Sequence, residues 1–403
     1  MVNNNRKKLN LSVFLLVFLS GSFVVANDLI SSTLTIILWI LLLVLCANVT
    51  TRINKQSFCT FVFLIVSMAG STIVNGENCI VFLKISFSYF VVLIIVSRYG
   101  FNEFANSFVE VMLFLSVISL IGYVAFLVII PLRSMFVVKN TANLLYSNLV
   151  LYVSSPEHIH RNWGMFWEPG AYQTFLNLAL LFEIRRRDAK VKNICVFIIT
   201  ILTTYSTTGY IGLVINFVIL LLKRKKPTSI KKLIIAVLLL SVPAVIFAWD
   251  ALFGRTIYTG ELSVFGKLKQ LANYSDAGYI TSVGVRYYSV FGVLQAFLER
   301  PLFGFGYQGL VERMYPYTYG MNTCTFVNWF ATYGIIYGVI MLLGVFNLSK
   351  KLSDRLSVQL LAFGVFFIVT ASENYVNNPF FAVLAMYGYG KNCYTLKGIE
   401  PNV

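Results

Sequence analysis

The feature that decides what this chain can fold into is a succession of apolar runs, each near the length of a membrane-crossing helix. They fall at about 11–27, 29–50, 57–75, 79–98, 108–130, 171–185, 191–206, 209–222, 232–249, 326–347, 356–371 and 379–391. A helix needs ~20 apolar residues to cross the hydrocarbon core of a bilayer. With 58% hydrophobic and only 12% charged residues over 403 positions, the chain is too apolar for a soluble core. The pattern predicts an all-α, polytopic integral membrane helix bundle of about 12 transmembrane helices, a single membrane domain over 1–403. Residues 1–27 resemble a signal peptide, with Arg6, Lys7 and Lys8 ahead of an apolar run. No small-x-small cleavage site is clear and more runs follow, so this is read as an uncleaved first helix.

The net charge of +16 would suit a nucleic-acid binder if it were gathered in one patch, but the lysines and arginines fall between the apolar runs. That distribution reads as topology, and nucleic acid is not an expected partner. Placing the N-terminus in the cytoplasm puts 22 of the 32 basic residues on the cytoplasmic side. Two long segments then face outward, at about 131–170 and 250–325. In the second, Val283 to Leu298 carries apolar residues at helical spacing, which predicts an amphipathic helix on or in the outer leaflet. Lys84 is the one clear charge inside a run. The six cysteines are scattered without a CxxC pair or a histidine at ligand spacing, so neither a disulfide framework nor a zinc site is indicated.

Chemistry-bearing residues gather in Ser154 to Tyr172, which holds both histidines. Arg161 precedes Glu168 by seven residues, and Pro169-Gly170 marks a break before the next helix. An outward arginine suits a phosphate or carboxylate, because its planar fork donates two parallel hydrogen bonds. The plainer reading pairs Arg161 with Glu157, Glu168 or lipid headgroups, with Trp163, Phe166 and Trp167 as an interfacial belt. His158 and His160 alternate as ligands on a strand would, but metal sites need three or four ligands and no others are local. A general base is the alternative use of a histidine here. Arg286 and Arg300 bracket the amphipathic segment of the second loop, and arginines on separate loops can hold a pyrophosphate between them. For Arg300 a helix-end cation is the competing reading. Tyr315, Tyr317 and Tyr319 suit sugar stacking or another belt. Ser372-Glu373-Asn374 opens a short turn whose acid and amides suit sugar hydroxyls, or ordinary helix capping.

In combination, Arg161-Asn162-Trp163-Gly164-Met165-Phe166-Trp167-Glu168-Pro169-Gly170, Ser206-Thr207-Thr208-Gly209, Arg286 leading to Pro301-Leu302-Phe303-Gly304-Phe305-Gly306, and Asn322 ahead of Tyr333-Gly334-Ile335-Ile336-Tyr337-Gly338 resemble the membrane family of bacterial O-antigen polymerases and O-antigen ligases. The resemblance covers most of the chain from about 155 to 345. It implies a bundle of about twelve helices with a large outer loop that transfers glycans from undecaprenyl diphosphate at the periplasmic face of the inner membrane. Ligases of the family have a histidine just before the asparagine in the last part of that loop, and here the position is Met321, which favours the polymerase. The expected partners are an undecaprenyl-diphosphate-linked oligosaccharide, membrane lipids and a chain-length regulator protein, with no cofactor and no metal. Glu168 is the first candidate base, with His160 and Glu373 behind it. Arg161, Arg286 and Arg300 are expected on the diphosphate, and Asn322 and Asn374 on the substrate. A ligase, or a flippase for the same lipid-linked sugars, stands as the alternative.

Overall fold

A computed structural model of the chain describes residues 2–47, 53–141, 143–156, 158–186, 188–223 and 282–390. The apolar run at 232–249, the outer-loop segment 250–281 and Glu157 lie outside the described residues. Each of the other runs is helical. In chain order the first helices are α1 (Val2–Gly21), α2 (Phe23–Ala26), α3 (Ser32–Cys46), α4 (Lys55–Asn75), α5 (Cys79–Arg98) and α6 (Phe101–Val128). The next are α7 (Pro169–Arg185), α8 (Val191–Thr203), α9 (Thr207–Lys223), α10 (Ser282–Glu299) and α11 (Tyr307–Thr318). The last are α12 (Thr325–Lys351), α13 (Leu356–Thr370) and α14 (Pro379–Tyr389).

Side chains of the flanking polar residues set many of these boundaries. The Oδ1 atoms of Asn54, Asn78 and Asn378 accept hydrogen bonds from the amides of Gln56, Ile80 and Phe380 at 2.9, 2.8 and 3.1 Å, filling orphan donors of α4, α5 and α14. The run at 108–130 starts earlier than its apolar residues show, at Phe101, because Glu103 turns back to accept from the Gly100 amide at 3.0 Å. The first run is likewise longer and is broken at Ser22, which bridges to Phe166 in the loop ahead of α7.

Among the described residues four helices are long and apolar enough to cross a membrane: α4, α5, α6 and α12. Ile73, Val66, Leu83, Ile121 and Val128 stand exposed on them, an arrangement that water would penalise and lipid accepts. The chain is a membrane-embedded, mostly helical protein. Two helices form its centre. Residues 169–184 of α7 and 379–388 of α14 are all buried, the mark of a helix enclosed by others on every side. Around them, α7 packs on α6, α8, α9 and α13, while α14 packs on α1, α4, α5 and α12.

The segment read as a plain outer loop, 131–170, contains a small antiparallel sheet: β1 (Val137–Lys139), β2 (Leu145–Asn148) and β3 (Val153–Ser154), in that order. Val138 pairs with Tyr146, and Ser147 with Ser154. Strands of two to four residues are too short to show an alternating pattern. His158 and His160 sit in a turn after the sheet and not on a strand.

The expected amphipathic helix is α10, one residue wider than its apolar pattern at either end. It packs on α11 and α12 through Val293, Ala296, Leu310, Met314 and Ala331. Between α10 and α11 the chain enters a break in α12. At Gly334 the backbone takes φ 83° and ψ −179°, which opens the helical ladder. The groups freed there bond to the turn after α10: the Phe305 and Gly306 amides donate to the Ala331 and Thr332 carbonyls at 2.8 and 2.9 Å, and the Ile335 amide donates to Pro301 at 2.8 Å. A Cβ on Gly334 would collide with the Leu302 carbonyl, so both the conformation and the contact require glycine.

Candidate active site

Charged residues gather at both ends of the bundle. At the end bearing the start of α1, Arg6 pairs with Glu110, and Arg98 donates to the carbonyls closing α3. Arg355 reaches the Leu222 carbonyl at 2.7 Å at this same end. At the opposite end four charged residues from four parts of the chain act on one another: Arg161, Glu168, Arg286 and Glu373.

Each is held by its own local structure. Arg161 closes the turn after the sheet, its amide donating to the His158 carbonyl, and its Nε donates to Thr204 at the end of α8 at 3.2 Å. Asn162 fixes the same loop: its amide reaches the Thr203 carbonyl at 2.8 Å, and its Nδ2 reaches Thr203 Oγ1 and Ser119. Glu168 is the N-cap residue of α7, in extended conformation, followed by Pro169, whose fixed φ and missing donor suit the first helical position. Its side chain makes no cap and is left for other work. The positive end of α7 favours negative charge there. Arg286 lies exposed on α10, three residues before Ser289. The Ser289 hydroxyl accepts from the Thr323 amide at 3.0 Å and donates to the Met321 carbonyl, tying this part of α10 to the entry of α12.

Glu373 is 6% exposed, in the turn between α13 and α14. Its carbonyl accepts from Thr325 Oγ1 at 2.8 Å, and its Oε2 accepts from Trp167 Nε1 at 3.1 Å. No amide, amine or indole reaches Oε1 among the described residues; the group that faces it is the Glu168 carboxyl. The two acids meet over Gly170. A Cβ there would run into Glu373 Oε1 and stand 2.9 Å from Glu168 Oε1. Burial, then the Glu168 charge, push the Glu373 carboxyl well above the usual carboxylate range. Burial lowers the Arg161 guanidinium and the Glu168 charge opposes this, so the group stays a cation.

Beneath the site, Gln173 clamps three elements. Its Nε2 donates to the Val369 carbonyl at 3.0 Å, to Ser372 beside Glu373 at 3.2 Å and to Thr208 at 3.4 Å. Asn177 continues the network to the Gly209 carbonyl, and Asn216 to Asn177. Ser206 to Gly209 thus serves as a footing for α7.

The other sequence candidates are placed elsewhere. Arg300 donates to Asn75 Oδ1 at 2.9 Å and lies 4.5 Å over the Phe305 ring, pinning the turn after α10 to the end of α4. Asn322 is buried and accepts from Thr318 Oγ1 at 2.8 Å, which closes α11. Asn374 accepts from the Val376 amide at 3.1 Å in a local turn next to Glu373. His160 is exposed, and its carbonyl accepts from Tyr123. Sequence reasoning took Trp167 for an interfacial ring and missed it as the indole donor to Glu373. Only its position one residue before Glu168 hinted at more. Compared with known proteins, the chain matches no family model and no curated protein.

Proposed function

We propose that this chain is a glycosyltransferase of the bacterial inner membrane that polymerises lipid-linked oligosaccharide units into O-antigen or a similar surface polysaccharide at the periplasmic face. The observation that carries the reading is the meeting of Arg161, Glu168, Arg286 and Glu373 at one end of a membrane bundle, two cations beside a carboxyl pair. The donor is the growing glycan on undecaprenyl diphosphate, and the acceptor is a hydroxyl of the next lipid-linked unit. Glu168 takes the hydroxyl proton as the oxygen attacks the anomeric carbon. The bond from that carbon to the diphosphate breaks and its electron pair leaves with the carrier. Arg161 and Arg286 hold the departing diphosphate, where fixed positive charge offsets the negative charge that develops. No nucleotide sugar is required, because the carrier bond already stores the energy. The twelve-span topology with both termini in the cytoplasm belongs to this proposal, as do the outer loops and a chain-length regulator as partner.

Arg161→Lys and Arg286→Lys test it in a deletion strain. Each keeps the charge but loses the bidentate fork. Each is expected to reduce the lipopolysaccharide ladder to a single-unit band while the protein still inserts. A full ladder from both variants would sink the diphosphate clamp. A deletion strain with bare core and carrier-linked polymer would mark a ligase instead. The flippase reading has one observation in its favour, the buried amides Gln173, Asn177 and Asn216 within the helices. It would leave single units trapped on the cytoplasmic side.

A further inference from the structure

We infer that Glu168 and Glu373 share a single proton carried by Glu373, so that Glu373 is a neutral donor that positions the Glu168 base and is not itself the base. The inference rests on the proposed function for its catalytic consequence alone. Its physical basis is geometry. The two carboxyls converge over the one residue of the α7 start that lacks a Cβ, and the buried Oε1 of Glu373 finds no donor among the described residues. Two carboxylates are acceptors only, so a bond between them requires a proton. Glu373 is the side that would hold it: it is buried, and among the described residues Oε1 meets no other donor. Glu168 is half-buried at the positive end of α7 and faces Arg161.

Among the described residues the charged and titratable groups around the pair are Arg161 from the loop ahead of α7, Arg286 from α10 and Tyr375 from the turn after α13. Neutral Trp167 holds the second oxygen of Glu373. Two arginines against one negative charge leave the site net positive, ready for a diphosphate. With both acids ionised the arginines would be neutralised within the protein. The shared proton therefore keeps the clamp open for its substrate and fixes the lone pair of Glu168 toward the acceptor.

Infrared difference spectroscopy of the full chain in lipid vesicles, titrated between pH 5 and 9 without substrate, reads the proton directly. Wild type is expected to show the carbonyl stretch of an un-ionised carboxyl at neutral pH. Glu168→Gln should keep that band, and Glu373→Gln should lose it, because the amide introduced in place of the acid then donates to an ionised Glu168. A band lost in Glu168→Gln but kept in Glu373→Gln would move the proton to Glu168. No band in wild type would mean two carboxylates. Either result overturns the inference, whatever reaction the protein catalyses. In the deletion strain, Glu373→Gln should restore the polysaccharide ladder and remove any alkaline loss of activity, whereas Glu373→Ala should not restore it. A folded Glu373→Gln protein with no ladder would refute the positioning role, and leave the infrared result to report on the proton alone.

Discussion

A buried glutamate lies at each end of α7, and the two are finished differently. Glu183, wholly buried at the far end, accepts from the Lys190 amide at 2.7 Å and from Asn193 Nδ2 at 3.1 Å on one oxygen, and from Arg186 at 3.1 Å on the other. Both of its oxygens have donors, and its charge has a cation. Glu373, against the start of the same helix, has one indole donor on one oxygen and a second acid on the other. A chain that can complete a carboxylate so fully at one end has left one incomplete at the other. Incomplete polar groups are costly in a buried setting, and they persist where something else uses them. The difference separates a carboxylate that holds the α7–α8 connection from a neutral acid that is poised.

The comparison is broken most directly by removing each acid in turn. Glu183→Ala leaves the Lys190 amide and Asn193 without their acceptor and Arg186 with Asp188 alone, so a loss of about 2–3 kcal/mol of stability is expected. Glu373→Gln should stay within about 1 kcal/mol of wild type, since a neutral amide replaces a neutral acid in shape and hydrogen bonding. Thermal unfolding of both proteins in the same vesicles checks this, and equal losses would erase the distinction. The next effect is in the pH dependence. Glu373 has its proton affinity raised in the folded state, so there it binds more protons than the unfolded chain does. Its contribution is fully present below the ordinary carboxyl range and is lost as pH rises toward the folded value. Wild type should therefore lose stability relative to Glu373→Gln between pH 5 and 9, and parallel curves would contradict a protonated Glu373.

Two smaller changes sharpen the contrast. Trp167→Phe removes the one fixed donor of Glu373, with an expected cost of about 1 kcal/mol and a ladder shortened more than the stability predicts. Unchanged ladder length would remove the indole from the site. At the other end, Asp188→Asn breaks the ion pair to Arg186, whose acid side is 68% exposed. Less than about 1 kcal/mol is expected, because water already screens that pair. A larger shift in its melting profile would show that the Glu183 cluster depends on its outer charge.

The helices were legible because length and apolarity are properties of a window, and eleven helical runs need nothing beyond it. The small sheet was not, since its strands are too short to carry a period. Nor was α11, where Pro316 lies inside the helix and the hold comes from Leu310 and Met314 against α10. Arg161, Glu168, Arg286 and Glu373 were legible as residue types between apolar runs. Their meeting was not, because the Glu168–Glu373 contact is a fact of packing between α7 and the α13–α14 turn. Arg300 shows the converse. Its motif pointed to the diphosphate, and a partner 225 positions away in sequence, Asn75, drew it to the end of α4.

The join at Gly334 also sets how this protein can be recombined. Pro301 to Gly306 and Ala331 to Ile335 are completed by each other's backbone. A hybrid that imports the outer segment from another protein but keeps its own α12 would leave amides and carbonyls unmet on both sides of the seam. Recombination is therefore expected to cut either before α10 or after residue 335, and to carry both stretches as one cassette.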